Sequence, residues 1–516
     1  MASSIPNNDL FFLIKGLSGN EKSYYKKLAK RHAANNNSLH LRLFDLIDRE
    51  QLKDEKKALQ QLGISNPAQF SSLKNYLTKD VLDSIVFMKR NEDINVQLSF
   101  IIIQLDQLLE KKLLHFARRL LKKAWELAEY FEHFDVQLQL LQMQNRMLDY
   151  KSYKEYKTEA IDITAQMRET LQQQHLQQQV YFHFEQLQVL KKISLLRFTD
   201  EQVEEVKAIH NSLLSLNMDS RRPNSWTMAL YHNALALGEY MLFRFAECRQ
   251  YSARLLEFWK NNPTFINAYP IYFLSAANTT FYNSFAMQEV EEVAHDLNTY
   301  QRLADLHIKN EFYQKQWQII SFNTTLKIHH KTARYDKVGM LIDDAAKKIL
   351  QHAQQVTSPS ETLPIMTSVA ISYFVLNKWQ DADEILLECK TLSREVNRED
   401  IMLFTLVFHL LVLYEKKEWY RLDNAVEAAY HLLYSRKKLH PFEKELMLFL
   451  KRLPTARSKN SAVELIQGFL TKLESYKNDP VKNLYFLYFN YYGWLESKVI
   501  GIPYMEYMQR KVANTL

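Results

Sequence analysis

Residues 377–390 read NKWQDADEILLECK and follow the apolar run SYFVL at 372–376. Forty positions beyond Trp379 the chain offers KEWYRLDNAVEAA, with Trp419 in the matching place. In the first of these units Met366, Val369, Ala370 and Tyr373 share one helical face, and Trp379, Ala382, Leu386 and Cys389 share another. The pattern has a physical cause: two antiparallel helices approach closely only where small residues such as Ala370 and Ala382 meet, and large rings fill the space beside them. Trp379 therefore reads as a wedge between two helices rather than as part of a reactive site.

Working outward, the same aromatic-led pattern recurs in RFAECRQYSARLL at Phe245, SFAMQEVEEVAHDL at Phe285 and RYDKVGMLIDDAA at Tyr335. With Trp379 and Trp419 the spacings are 40, 50, 44 and 40 residues, and SYKEYKTEAIDI at Tyr153 is a fainter instance. The Tyr335 unit repeats the two-faced pattern, with Phe322, Thr325, Leu326 and His329 before the turn and Tyr335, Val338, Ile342 and Ala345 after it. Repeats of this length are single helix pairs that bury their apolar faces by stacking on their neighbours.

Composition agrees. Among 516 residues there are 8 glycines and 11 prolines, so an all-α chain with few turns at positive φ is expected. The glycines never cluster, which removes phosphate-cradling loops. Cys248 and Cys389 are too few for a cysteine zinc site or a disulfide framework and suit a reducing compartment. MASSIPNNDL lacks the basic and apolar regions of a signal peptide. The apolar run IMLFTLVFHLLVLY at 401–414 is shorter than the roughly 20 residues of a spanning helix. These features predict a cytoplasmic protein without membrane association.

Punctuation divides the chain into an N-terminal helical module at 1–92, helical repeats at 93–455 and a C-terminal helical cap at 456–516. In the module, Ser18 and Glu21 form a capping box for a helix running through Ala33. Asp54 can start a short helix that Gly63 stops, and Asn66 followed by Pro67 opens a helix through about Arg90 with Leu73, Leu77, Val81, Ile85 and Met88 on one face. Lys74, Asn75 and Lys79 on that helix would suit a DNA groove, but Gln69 stands where a helix-turn-helix reader needs an apolar residue.

The net charge is +7, concentrated in Lys22, Lys26, Lys27, Lys30 and Arg31 and in the 436–459 stretch, where eight Lys or Arg face Glu443 and Glu445. The glutamine-rich 172–188 keeps Leu176, Val180, Phe184 and Leu187 at helical spacing and reads as an ordinary helix. The aromatic-dense 484–494 reads as a buried closing element. Glu292 and His295 lack a second ligand pair, and His329 and His330 point to different helix faces, so no metal or cofactor site is expected.

Over about residues 95–450 the chain resembles the tetratricopeptide-like superfamily, most closely at 363–395 and 319–348, and its general layout is similar to that of bacterial proteins of this kind. Its period is longer than the family's 34, and the family's terminal proline is missing from each repeat. The resemblance implies an all-α, α-α superhelix whose first helices line a groove for a protein or peptide. Carried over position by position, the groove would present Ile320, Asn323, Lys327, His330 and Lys331 in the Tyr335 unit. It would present Asn233 and Tyr240 in the Phe245 unit, and Phe273, Thr280 and Phe281 in the Phe285 unit. Asparagine there would pair with a peptide backbone, lysine with a carboxylate and the rings with apolar side chains. The leading expectation is a non-enzymatic binding scaffold. The alternative is a nucleic-acid-associated regulator that reads DNA through its N-terminal basic helices.

Overall fold

The computed structural model describes residues 9–32, 39–49, 55–90, 92–148, 152–193, 199–216, 218, 225–393, 399–435, 441–455, 458–474 and 488–514. Every regular element among them is helical. The chain forms two compact units, 1–174 and 175–516, and the division falls inside one long helix.

The first unit holds α1 (Asp9–Gly16), α2 (Gly19–His32), α3 (Leu39–Asp48), α4 (Glu55–Leu62), α5 (Pro67–Lys89), α6 (Ile94–Glu110), α7 (Leu114–Tyr130), α8 (Phe134–Arg146) and the beginning of α9 (Tyr153–Ile193). The helix ends follow the local chemistry. Ser18 Oγ accepts from Glu21 N–H at 3.2 Å while Glu21 Oε2 accepts from Ser18 N–H at 2.9 Å, the reciprocal capping box. Asn66 Oδ1 accepts from Ala68 N–H at 2.9 Å, with Pro67 at the first helical position. Gly63 stops α4 at φ 69°. Asp54 lies outside the described residues. Leu10, Ile14, Tyr25, Phe44, Leu73, Leu77 and Val81 share one core, whereas Ile85 is only partly buried against it.

The second unit continues with the end of α9, then α10 (Asp200–Leu214), α11 (Trp226–Met241), α12 (Phe245–Asn261), α13 (Thr264–Ala268), α14 (Pro270–Ala286), α15 (Val290–His307), α16 (Glu311–Lys331), α17 (Tyr335–Val356), α18 (Pro359–Val375), α19 (Trp379–Leu392), α20 (Glu399–Glu415), α21 (Trp419–Ser435), α22 (Pro441–Arg452), α23 (Lys459–Glu474), α24 (Tyr491–Ile500) and α25 (Tyr504–Val512). From α11 onward the helices stack as pairs in an α-α superhelix. The first helices α11, α14, α16, α18, α20 and α22 also touch one another in succession and form an inner layer. Side-chain patterns differ accordingly. In α17 a single stripe is buried, Tyr335, Val338, Ile342, Ala346, Ile349, Ala353 and Val356. In α11, by contrast, 13 of 16 residues are buried, because its neighbours surround it.

The turns correct one expectation. Phe243, Gln288, Ala333, Asn377 and Lys417 all have positive φ, between 51° and 61°, and each stands two residues before the next helix. Lys112 and Glu132 do the same before α7 and α8. The scarcity of glycine therefore does not mean a scarcity of left-handed residues. Each turn closes by the same pair of bonds: Lys378 N–H donates to Tyr373 O at 2.9 Å and Asn377 N–H to Phe374 O at 3.0 Å, a Schellman motif. These bonds satisfy two helix-end carbonyls and offset the steric cost of a Cβ in the left-handed region. Glycine at Ala333 or Lys417 should consequently stabilise the protein by up to about 1 kcal/mol per site, read as a higher urea midpoint. A lower midpoint would show that the native side chains contribute more by packing than they cost in backbone strain.

The turns also reset the repeat. The second helices begin at 245, 290, 335, 379 and 419, in steps of 45, 45, 44 and 40. The counterpart of Tyr335 and Trp379 is therefore Val290, and Phe285 lies inside α14. An aromatic anchor is lacking at that one turn, so the nearest ring upstream stood in for it.

Candidate functional site

The inner face of the first helices becomes clear once the register is reset by five residues in α14. Positions 15, 12 and 8 residues before each second helix then carry Ser275, Asn278 and Tyr282 in α14, Ile320, Asn323 and Lys327 in α16, and Pro364, Thr367 and Ile371 in α18. Ser275, Asn278, Tyr282, Ile320, Lys327 and Pro364 are only partly buried, although the helices that carry them are mostly buried.

The ten expected groove residues separate into two groups, with Ile320 partly buried. Asn233, Tyr240, Phe273, Phe281 and Asn323 are buried. Phe273 packs between Trp259, Tyr300 and Trp317, and Phe281 lies against the last two, so both belong to the core between helix pairs. Their assignment to the groove came from the displaced anchor at Phe285, as did that of Thr280, which is buried and donates to Ala276 O. Asn233 Nδ2 donates to Tyr272 O at 3.1 Å and ties α11 to α14. Among the described residues no donor reaches the buried amide oxygens of Asn233 and Asn323. Tyr240 packs against Phe245 and Tyr282, and burial raises its hydroxyl far above the ordinary tyrosine value.

Lys327, His330 and Lys331 lie at the open side. The Lys327 ammonium sits 4.4 Å from the centre of the Tyr282 ring and 6.0 Å from that of Phe285, which joins α16 to α14 by a cation–π contact. Lys331 follows one turn later; part of its side chain reaches solvent, while neighbouring atoms crowd its ammonium. Desolvation, and then the charge on Lys327, hold its ammonium below the usual lysine value. Among the described residues no carboxylate forms an ion pair with either lysine. His330 Nε2 lies 2.8 Å from Ser372 Oγ, whose own hydrogen goes to Ser368 O, so the ring donates through Nε2 and joins α16 to α18. Burial, with His329 adding to it, pushes His330 down to about 4, so the ring is neutral at pH 7 and serves as a structural link.

Both ends of this inner face are covered. Near α14, Gln188 Nε2 from α9 donates to Ser275 Oγ at 2.9 Å, Trp226 Nε1 donates to Tyr181 at 2.8 Å, and Phe184 packs on Tyr272. The far end is filled by the C-terminal segment. Phe489 meets Phe374 and Phe408, Tyr488 meets Phe404, and Trp494 packs on Tyr414 while donating to Glu415 at 2.6 Å. Tyr488, Phe489 and Trp494, at the end of the aromatic-dense stretch, thus line α18 and α20; residues 484–487 lie outside the described residues. What stays accessible is a window on α14, α16 and the first half of α18, with cationic, aromatic and amide groups.

The other expected anion contacts fare differently. Lys22 and Lys26 pair with Asp48 and Asp45 at 2.8–3.3 Å, so their charge is spent within the N-terminal core. Of the 436–459 cluster, Lys444, Lys451 and Arg452 are exposed on α22, whereas Arg436, Lys437, Lys438 and Arg457 lie outside the described residues. Cys248 and Cys389 are buried, and burial raises both thiols to about 12. Among the described residues no group of three His, Cys, Asp or Glu could hold a metal ion. No described helix is long and apolar enough to cross a membrane. No family model and no curated protein matches the chain.

Proposed function

We propose that the chain is a tetratricopeptide-like, non-enzymatic scaffold of the cytoplasm that holds an extended protein or peptide segment against α14 and α16. The observation that carries this reading is the pair Lys327 and Lys331, one helical turn apart on the accessible inner face and without a carboxylate partner among the described residues. Two such cations flanked by the Tyr282 ring, the Asn278 amide and the Ile320 side chain make a surface for a carboxylate beside an apolar side chain. Partial desolvation strengthens an ion pair made there relative to one on an open surface.

The test is capture of partners from native cells by the full chain and by a Lys327→Glu, Lys331→Glu variant. Both side chains reach the open side, so the variant should fold. Partners held in the window should fall by at least about tenfold, as charge reversal leaves a like-charge contact in place of an attractive one. Partner recovery that is unchanged by the double substitution would remove this site.

A further inference from the structure

We infer that the solvent face of α7, in the first unit, binds the phosphate backbone of single-stranded nucleic acid. Between residues 111 and 125 the chain carries Lys111, Lys112, Arg118, Arg119, Lys122 and Lys123 and no acidic residue. All six are exposed, and among the described residues none forms an ion pair. Other cations of this unit, Lys22 and Lys26 with Asp45 and Asp48 and Arg146 with Asp106, are neutralised locally.

The charge order on α7 is the reverse of what helix stability favours. Its first turn holds no acidic residue, its last turn holds no basic one, and the acidic Glu126 and Glu129 follow the cations. A helix is stabilised by negative charge near its N-terminus and positive charge near its C-terminus. Here both preferences are violated, and an anionic partner along the first three turns would relieve the repulsion.

The arrangement also selects among anions. Phe116, Arg119 and Lys123 recur at helical spacing along one side of the exposed face, and Arg118 and Lys122 run beside them. Phe116 is 52% exposed, and the Arg119 guanidinium lies 5.3 Å from the centre of its ring. An exposed ring among cations suits an unpaired base, which stacks on it while the phosphates meet the charges. A membrane surface fits less well, because the apolar side of α7, with Ala117, Ala124 and Ala128, is already buried within the unit and cannot enter lipid. An acidic protein would bring scattered carboxylates and its own apolar anchors to a face that offers an unbroken row of cations.

The experiment is an anisotropy titration of a fluorescein-labelled oligothymidylate of about 20 nucleotides with the full chain at several salt concentrations. It is repeated with Arg118→Gln, Arg119→Gln, Lys122→Gln and Lys123→Gln combined, and with Phe116→Ala. The wild type should bind with log affinity falling linearly with log salt. The fourfold variant should bind at least about tenfold more weakly, with a slope shallower by about 0.7 for each phosphate that is no longer neutralised. Phe116→Ala should weaken the single strand more than a duplex of the same length. A control variant, Lys444→Gln, Lys451→Gln and Arg452→Gln on α22, should bind as the wild type does. Absence of oligonucleotide binding at low salt, or equal binding by the fourfold variant, overturns the proposal. Polyglutamate or anionic vesicles bound more tightly than the oligonucleotide, with the same fourfold sensitivity, would overturn it in favour of an acidic protein or a membrane surface.

Discussion

Asp383→Asn should lower the stability of the repeat unit by about 3–5 kcal/mol, the range for removing one partner of a buried ion network. The Asp383 side chain is 3% exposed and lies where α19, α20 and α21 meet. Its carboxylate accepts from His409 Nε2 at 2.7 Å, from Lys416 Nζ at 2.5 Å and from Arg421 Nη1 and Nη2 at 2.9 and 3.2 Å. Burial alone would raise its pKa, but donation from His409, Arg421 and Lys416 reverses that and holds it far below the usual carboxylate range. An amide preserves the shape yet turns an N–H toward donors and leaves the mostly buried Lys416 with Glu418 as its remaining carboxylate, beside the Gln380 amide oxygen.

The pH dependence follows from that depressed value. The contribution of Asp383 is complete above the unfolded carboxylate value of about 3.9 and is lost as the pH falls below it. Urea midpoints measured from pH 7 to pH 2 should therefore show a wide gap between wild type and variant that narrows below about pH 4. A gap that stays constant with pH would mean that the substitution acts through shape and not charge.

Trp494→Ala should cost a similar amount, about 3–5 kcal/mol, since the ring is 1% exposed and its removal leaves a cavity between α20 and α24. It also removes the donor to Glu415, which otherwise binds Trp494 and Lys498 together. Trp494→Phe separates the two effects by keeping most of the ring and losing the bond, and should cost about 1.5–3 kcal/mol. Both variants should increase binding of an apolar dye, because Tyr414 and Phe408 beneath the segment become accessible. A Trp494→Ala protein with wild-type stability and no added dye binding would mean that the C-terminal segment does not hold that surface closed.

Much of this architecture was legible in the sequence because it is set locally. The capping box at Ser18 and the Asn66–Pro67 helix start depend on residues within a turn or two, and the structure contains both, while Trp379 packs partly buried against the core and its counterpart Trp419 is exposed. Legibility failed where one physical solution can be reached by different residues. The Val290 turn lacks a ring but closes through the same backbone bonds as its neighbours, Glu289 N–H to Ser284 O at 3.0 Å, so the anchor slipped to Phe285. That slip carried Phe273 and Phe281 into the expected groove and left Ser275, Asn278 and Tyr282 out of it. The row of cations at α7 was not legible for a different reason: four charges on a helix and two in the turn before it are informative only when their exposure and lack of partners are known. The covering of α18 and α20 by the C-terminal segment could not be read at all, since it joins residues far apart in the chain.

That distance bears on how the molecule is made. Phe374 and Phe489 touch across about 115 residues of sequence. Helix pairs such as α11–α12 and α14–α15 depend on close neighbours and can assemble while the chain is still being synthesised. The contacts of Phe374, Phe404 and Phe408 with Tyr488 and Phe489 cannot form until residues 488–489 have left the ribosome. A premature stop between the end of α23 at Glu474 and Tyr488 would release a chain with its repeats but with Phe374, Phe404 and Phe408 lacking their partners, a ready substrate for chaperones and proteases.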